Sequence, residues 1–416
     1  MLFQTQSQTK VQAQGASLAA WQSKRLSLPP LQLAALMSWQ RVVGVSHTTL
    51  CRWLTDGLDL HALWHAKESS VRETLMLKEV SLGSWQSLRK VASPSQLYED
   101  CLSQNVRVLS ILDDHYPSCL RETYHPPALL YMRGNIEALS ATGIGIVGTR
   151  LPSPNGISVT QQLVSALKGL PVSIISGLAL GIDSQAHETA VQEDISTIAV
   201  FGCSVDHIYP RENRGLANRI IEQGGLLLSE YPLGTTPNRF RFPQRNRLLA
   251  GLSQALVVVE GPLNSGALIT ARYAVEENRT VYAVPGPIGL KQAAGPNQLL
   301  KDGAQIIVSA AGFRQDLCED LNLIAKDSFA HNVEYEPEKH EPLAAHAMQS
   351  EAYHPASAVE LPTLLQFIPT TPISIEALHQ QTKLPLSTLL TQLSLLELEE
   401  HVSILPGTQI VRVFKT

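Results

Sequence analysis

The stretch Gly143-Ile-Gly-Ile-Val-Gly-Thr-Arg150 decides how the chain is read. Its β-branched centre, residues 144–147, predicts a buried strand, and Gly148-Thr-Arg150 leaves that strand through a turn. The pattern then repeats. Strands are predicted at 172–175, 197–201, 226–228, 255–259, 280–284 and 305–308, with helical patterns between most of them. Short β-rich runs alternating with helices make an α/β fold, a mostly parallel sheet covered on both faces. Upstream, 106–112 and 126–134 read as two further strands leading into this domain.

In such a sheet ligands sit at the carboxyl ends of the strands, so the residues just after each strand matter. Gly148-Thr-Arg150, Ser176-Gly177, Gly202-Cys203-Ser204, Ser229-Glu230 and Glu260-Gly261, leading to Asn264-Ser265-Gly266, place small residues along one edge. Glycine admits a ligand close to the backbone. Helices beginning after Gly177 and Gly266 direct N–H groups and positive dipole ends into the same crevice, which predicts an anion cradle.

The stretch Arg239-Phe-Arg-Phe-Pro-Gln-Arg-Asn-Arg247 sets four guanidinium groups beside two phenylalanines. Planar, always-charged forks suit phosphate oxygens, and an aromatic face stacks a base of any identity. A short helix over 248–253 and the strand after it anchor this basic loop to the core. If the fold brings the loops together, Arg150 joins Arg239, Arg245 and Arg247 as one wall of a basic groove. The chain as a whole carries net charge −5, so any polyanion site is a local patch.

Other candidates favour plainer readings. Gly143-x-Gly-x-x-Gly148 matches a dinucleotide fingerprint literally, but two of its glycines fall inside the strand, and Ser176-Gly177 stands where an acid is needed. Asp183 and His187, four residues apart, read as a helix cap and a packed histidine rather than an acid–base pair or metal ligands. Cys203 reads as a small packing residue. Glu230 reads as a base or as an anchor for a loop amide.

A length of 416 residues exceeds one typical core, and 17% charged with 44% hydrophobic residues is ordinary globular composition. Five scattered cysteines without C-x-x-C spacing read as reduced thiols, and the polar leader lacks a signal peptide's apolar centre. The expected location is the cytoplasm, with no membrane span. The expected divisions are a leader, 1–26; a helical unit, 27–98; the α/β domain, 99–312; a solvated linker, 313–360; and a C-terminal unit, 361–416. Within the helical unit, Val42-Val-Gly-Val45 between two helices reads as a helix-hairpin-helix, with packing favoured over phosphate binding. The tail reads as three helices and a β-hairpin, a winged helix. The helix in its recognition position, 386–398, has no Arg or Lys, which disfavours duplex DNA and favours a protein contact.

Assembled in order, these pieces resemble the DNA-processing protein A family, DprA or Smf. The resemblance rests on Ile146-Val-Gly-Thr-Arg150, Ser176-Gly-Leu-Ala-Leu-Gly-Ile-Asp-Ser-Gln-Ala-His187, Asp206-His-Ile-Tyr-Pro210 and Ser229-Glu-Tyr-Pro232. It rests most on Phe242-Pro-Gln-Arg-Asn-Arg-Leu-Leu-Ala-Gly-Leu-Ser253, Ser265-Gly-Ala-Leu-Ile-Thr-Ala271 and Ala283-Val-Pro-Gly286. It implies a Rossmann-like domain that binds single-stranded DNA without sequence preference, forms a homodimer and loads RecA during DNA uptake in natural transformation. It implies a mediator, not an enzyme, with no cofactor or metal. The implied DNA contacts are Arg150, Gly177, Gly202, Arg239, Phe242, Arg245, Asn246, Arg247, Ser265 and Gly266. Many members carry Lys or Arg where this chain has Leu180, and Arg241 is the expected substitute. The competing reading is a nucleotide hydrolase using Glu230 or Asp183 as base.

Overall fold

The computed structural model describes residues 27–323 and, further on, 364, 367–369, 373–384, 389, 393, 396, 401–405 and 409–412. The expected leader, and the expected linker beyond 323, lie outside the described residues. The chain divides near residue 332 into two compact units.

The first unit is built on nine strands: β1 (Arg107–Ser110), β2 (Leu129–Gly134), β3 (Thr142–Val147), β4 (Val172–Ser176) and β5 (Ser196–Phe201), followed by β6 (Leu226–Ser229), β7 (Ala255–Val258), β8 (Thr280–Ala283) and β9 (Gln305–Ile306). They lie in the order β1-β2-β6-β5-β4-β3-β7-β8-β9. Strands β3 to β9 run parallel, while β2 is added antiparallel beside β6 and β1 antiparallel beside β2. Each predicted strand is present. The runs of Val, Ile and Leu reflect burial on both faces: every residue of β4, β6 and β7 is buried. Helices Pro154–Ser165, Ile182–Gln192 and Ala310–Leu321 cover one face, where Ile146, Ile174 and Val257 are buried.

Two boundaries differ from the sequence reading. The Ala310–Leu321 helix buries Phe313 and Leu317, so the chain stays folded past 313, where the linker was expected to begin. The helix expected from 248 starts at Arg241 and runs to Leu252. The two glycines inside β3 have a packing cause. A Cβ on Gly143 would strike the Leu252 carbonyl, and one on Gly145 the Ser253 hydroxyl, so the end of this helix lies directly on the strand.

Six helices from Pro30–Gln40 to Pro94–Ser103 surround four tryptophans. Trp39 meets Trp53 and Trp64 edge-on at 5.5 and 5.1 Å and stacks on Trp85 at 6.0 Å. The Val42–Val45 hairpin is a packing turn. Its Val43 amide donates to Ser84 Oγ at 3.0 Å, and a Cβ on Gly44 (φ +83°) would come within 2.8 Å of Ser81 Oγ.

The helical bundle is tied to the sheet at Glu230, which is buried at 2% exposure. Its carboxylate is held by Arg247 and by His47 Nε2 at 3.2 Å, and its carbonyl accepts from Gln40 Nε2 at 2.9 Å. His47 Nδ1 accepts the Ala128 amide at 3.1 Å, and burial holds that imidazole below its ordinary pKa despite Glu230. Glu230 is thus neither the free base nor the anchor of a loop amide that the sequence allowed, because its carboxylate holds the side chains of Arg247 and His47.

In the second unit, β10 (Ile373–Ser374), β11 (Val402–Leu405) and β12 (Gln409–Arg412) form an antiparallel sheet in the order β10-β12-β11. Ser374 caps the Ile375–Thr382 helix by accepting the Ala377 amide at 3.2 Å. Most of the helix expected in the recognition position lies outside the described residues. Those described, Leu389, Leu393 and Leu396, are buried.

Removing one partner of a buried ion pair strands the other charge, at a cost of about 3–5 kcal/mol. Arg247 is 23% exposed, so Arg247→Ala is expected to cost about 3 kcal/mol in urea unfolding, the lower end of that range. Combining it with Glu230→Gln should recover most of the loss.

Candidate nucleic-acid interface

Strands β4, β5 and β6 extend the sheet to one side of β3, while β7, β8 and β9 extend it to the other. The order therefore reverses between β3 and β7, and the crevice at their carboxyl ends is the general ligand position of such sheets. An open cavity of about 520 Å³ lies there. Arg150 enters from the turn after β3, Arg239 and Phe242 from the Arg241–Leu252 helix and the residues before it, and Ser265-Gly266 from the turn after β7. The turn carrying Arg150 is pinned on both sides. Thr149 N donates to Glu260 O at 2.7 Å, and Ile182 N donates to Thr149 O at 3.2 Å. Glu260 spends its carboxylate on Ser153, accepting from its amide at 2.9 Å and its hydroxyl at 2.5 Å.

Arg150 and Arg239 are exposed, and neither has an ion-pair partner among the described residues. Arg239 lies over the Phe240 ring at 4.7 Å. Arg245 behaves differently. It is 6% exposed and donates inward to the carbonyls of Gly177, at 2.9 Å, and Val200. Burial pulls its guanidinium below the usual arginine range, and Asp183 opposes that shift. Asp183 also lines the crevice, and there burial pushes its carboxyl up while Arg245 works against it. The only acid among the described lining residues is thus offset by a buried cation. The exposed charge is positive.

Asp183 does not cap its own helix as expected. The cap is Gly181, at φ +87°, where any Cβ would strike the Thr149 carbonyl, and Asp183 instead accepts the Gly177 amide at 3.1 Å. Gly177 and Gly202 make room for the protein's own side chains. A Cβ on Gly177 would collide with the Arg245 guanidinium, and one on Gly202 would come within 2.8 Å of the Phe242 ring.

Of the residues singled out from sequence, the cavity brings together Arg150, Arg239, Phe242, Arg245, Asn246, Ser265 and Gly266. Gly177 borders an adjoining recess of about 60 Å³ with Leu180, and Gly202 lies beneath Phe242. Arg247 is elsewhere, bound to Glu230 and the His125 carbonyl. Arg241 donates to Thr236 O at 2.8 Å and lies over Tyr231 at 5.3 Å, outside the recess where Leu180 is 42% exposed. His187 is buried with Nδ1 2.7 Å from Thr197 Oγ1, and burial pushes its pKa down to about 3. Cys203 is buried, its thiol 3.0 Å from the His207 carbonyl and pushed up to about 11 by desolvation. Neither Glu230 nor Asp183 stands free in the crevice as a base. Among the described residues no three His, Cys, Asp or Glu side chains meet as metal ligands.

Sequence reasoning missed Tyr209. Its ring stacks on Phe242 at 5.3 Å and 30°, lines both cavities and is 43% exposed. The signal was the aromatic in Asp206-His-Ile-Tyr-Pro210, which comes after β5 at the same edge of the sheet.

A sequence profile of the DNA recombination-mediator protein A family matches residues 107–319, and one of the DprA winged helix domain matches 349–408. The chain is 38% identical over 277 residues to protein Smf of Synechocystis, covering 66% of this chain and 69% of that protein. It is 31% identical over 373 residues to protein Smf of Escherichia coli, covering 89% and 94%. The X-ray structure of DNA processing protein A from Streptococcus pneumoniae superposes with a TM-score of 0.59 at 30% identity, covering 71% of this chain and 99% of that one.

Because Arg245 and Phe242 occupy the space above the strand ends, Gly177→Ala is expected to lower the melting temperature by several degrees or more. Arg150→Ala and Arg239→Ala, which remove exposed side chains, should leave it within about 0.5 kcal/mol of wild-type stability. Thermal scans of the three variants side by side check the division.

Proposed function

The chain belongs to the DNA recombination-mediator protein A family, the DNA-processing proteins DprA and Smf, and on that premise we propose that the crevice binds single-stranded DNA without sequence preference. The observation that carries this reading is the pairing of two exposed, acid-free guanidiniums, Arg150 and Arg239, with the stacked rings of Phe242 and Tyr209 in one open cavity. Phosphates meet the cations, and bases meet the rings. Ring stacking contributes on the order of 1–3 kcal/mol per base and tolerates any base, which accounts for indifference to sequence. Backbone groups of Ser265 and Gly266 complete the opposite wall.

The function so read is binding rather than catalysis: a recombination mediator that loads RecA onto the strand it holds, in the cytoplasm, during natural transformation. Among the described residues no helix is long and apolar enough to cross a membrane. The working form in this proposal is a homodimer. The open sheet edge at β9, where Ile306 and Val308 are exposed, is a surface suited to a second copy. In this proposal the winged-helix tail serves protein contact, since the stretch 386–398 carries no Arg or Lys and the sequence at its end, Glu397-Leu-Glu-Glu400, would repel phosphates.

Each phosphate contact to a single strand adds about 0.7 to the slope of log K against log salt. Arg150→Ala and Arg239→Ala are each expected to weaken oligothymidine binding and reduce that slope by about 0.7. The same variants should lose the stimulation of RecA filament growth on that oligomer. Unchanged affinity across the salt series would remove the crevice from consideration.

A further inference from the structure

We infer that a second cavity, where the helical bundle meets the sheet, binds a free basic amino acid, a small zwitterion with two cationic groups and one carboxylate. The cavity is open, about 350 Å³ in volume, and shares no lining residue with the crevice, so it stands whether or not the crevice holds DNA. Small-molecule pockets span about 300–1,000 Å³ and favour the places where domains meet, and this one lies at the small end of that range. Its floor is fixed to both parts of the molecule. The Tyr131 hydroxyl, on β2, donates to Gln40 Oε1 at 2.8 Å, and Gln40 Nε2 donates to the Glu230 carbonyl at 2.9 Å.

Three charged side chains from three segments line the walls. Arg41 follows the Pro30–Gln40 helix, Asp100 lies in the Pro94–Ser103 helix, and Asp206 comes from the turn after β5. Arg41 is exposed and the two aspartates are half-buried. Among the described residues Arg41 has no ion-pair partner, and neither aspartate is paired with a Lys or Arg. Their fields nevertheless meet at Cys101, which is buried in the wall between them. Desolvation pushes that thiol up to about 12, Asp100 and Asp206 push it the same way, and Arg41 opposes them. The three charges are thus near enough to act on one atom and too far apart to neutralise one another. A bridging ligand fills that spacing.

The charges select the ligand. Two carboxylates and one guanidinium are matched group for group by two cations and one carboxylate, which is what free lysine or arginine carries at neutral pH. A diamine leaves Arg41 unmatched, and an amino acid with an apolar side chain leaves one aspartate unmatched. The ligand's methylene stem lies against Met37, Leu97 and Leu233, which supply the apolar part of the lining. Both aspartates are oriented without being used up. Asp206 accepts the Gly234 amide at 3.2 Å and stands 3.2 Å from His207 Nδ1, and Asp100 accepts from Gln96 Nε2 at 2.9 Å. A carboxylate offers about four acceptor positions, so each keeps some for a bound cation. Groups held in place before the ligand arrives lose less entropy on meeting it.

Calorimetric titration of the full chain with L-lysine and L-arginine, to about 10 mM, reads the site directly. At least one of the two is expected to bind with a single site per chain. Hydrogen bonds to charged groups are the strong ones, so Arg41→Gln and Asp100→Asn should each weaken that ligand by about tenfold or more. Neither side chain carries a contact that the fold depends on, and melting scans in the same buffer check that both variants stay folded. Putrescine, which lacks the carboxylate, and norleucine, which lacks the second cation, should each bind at least about tenfold more weakly than the better amino acid. Absence of binding by both basic amino acids overturns the site. So does affinity unchanged in Arg41→Gln and Asp100→Asn, which would put the ligand elsewhere, and putrescine or norleucine binding as tightly as lysine or arginine, which would remove the charge match.

Discussion

The buried guanidinium of Arg245 is the interaction around which the crevice is arranged. A cation at 6% exposure needs acceptors and a counter-charge, and here Gly177 O and Val200 O accept from its Nη1, Asn246 Oδ1 accepts from its Nε, and Asp183 supplies the counter-charge. This one side chain fixes the carbonyl ends of β4 and β5, the loop after β4 and the first turn of the Ile182–Gln192 helix. It also requires Gly177 to lack a side chain. Arg150 and Tyr209 are thus presented by segments that cannot shift independently.

The fold was legible because burial leaves a plain record: strands covered on both faces read as continuous apolar runs. The site was legible only in outline. Read as a loop, Arg239 to Arg247 places all its guanidiniums on one wall. The helix begins at Arg241, however, and successive residues on a helix turn by about 100°, so Arg245 and Arg247 point about 200° apart. One therefore turns under the crevice and the other toward Glu230 and the helical bundle. Pro243, in the helix's first turn, is compatible with that early start. The distinction depended on where the helix begins, which spacing of apolar residues does not reveal when the first turn is polar.

The glycines teach a related lesson. A glycine after a parallel strand is compatible with close approach of a ligand or of the chain itself, and local sequence cannot separate the two. At Gly177 and Gly202 the answer is internal, because Arg245 and Phe242 come from a helix some 40 to 70 residues later in the chain. The same long-range packing creates the aromatic step. Tyr209 and Phe242 are ordinary in their own segments and become a stacking platform only when β5 and the Arg241–Leu252 helix meet.

The balance of forces at this crevice also limits what kind of binder the chain is. Net charge −5 gives the chain no overall attraction for DNA, and among the described residues the crevice itself offers two exposed cations. At about 0.7 per phosphate, two contacts give a shallow salt dependence, well short of that of proteins that neutralise 6–10 phosphates. Affinity must then come largely from rings and close backbone approach, neither of which salt screens. If the crevice binds DNA as proposed, it discriminates strongly against duplex, because paired bases cannot reach the Phe242 and Tyr209 faces without being unstacked, while an unpaired base reaches them at no such cost. On the proposed reading, selectivity for single strands is a consequence of having few charges, not a property added to them.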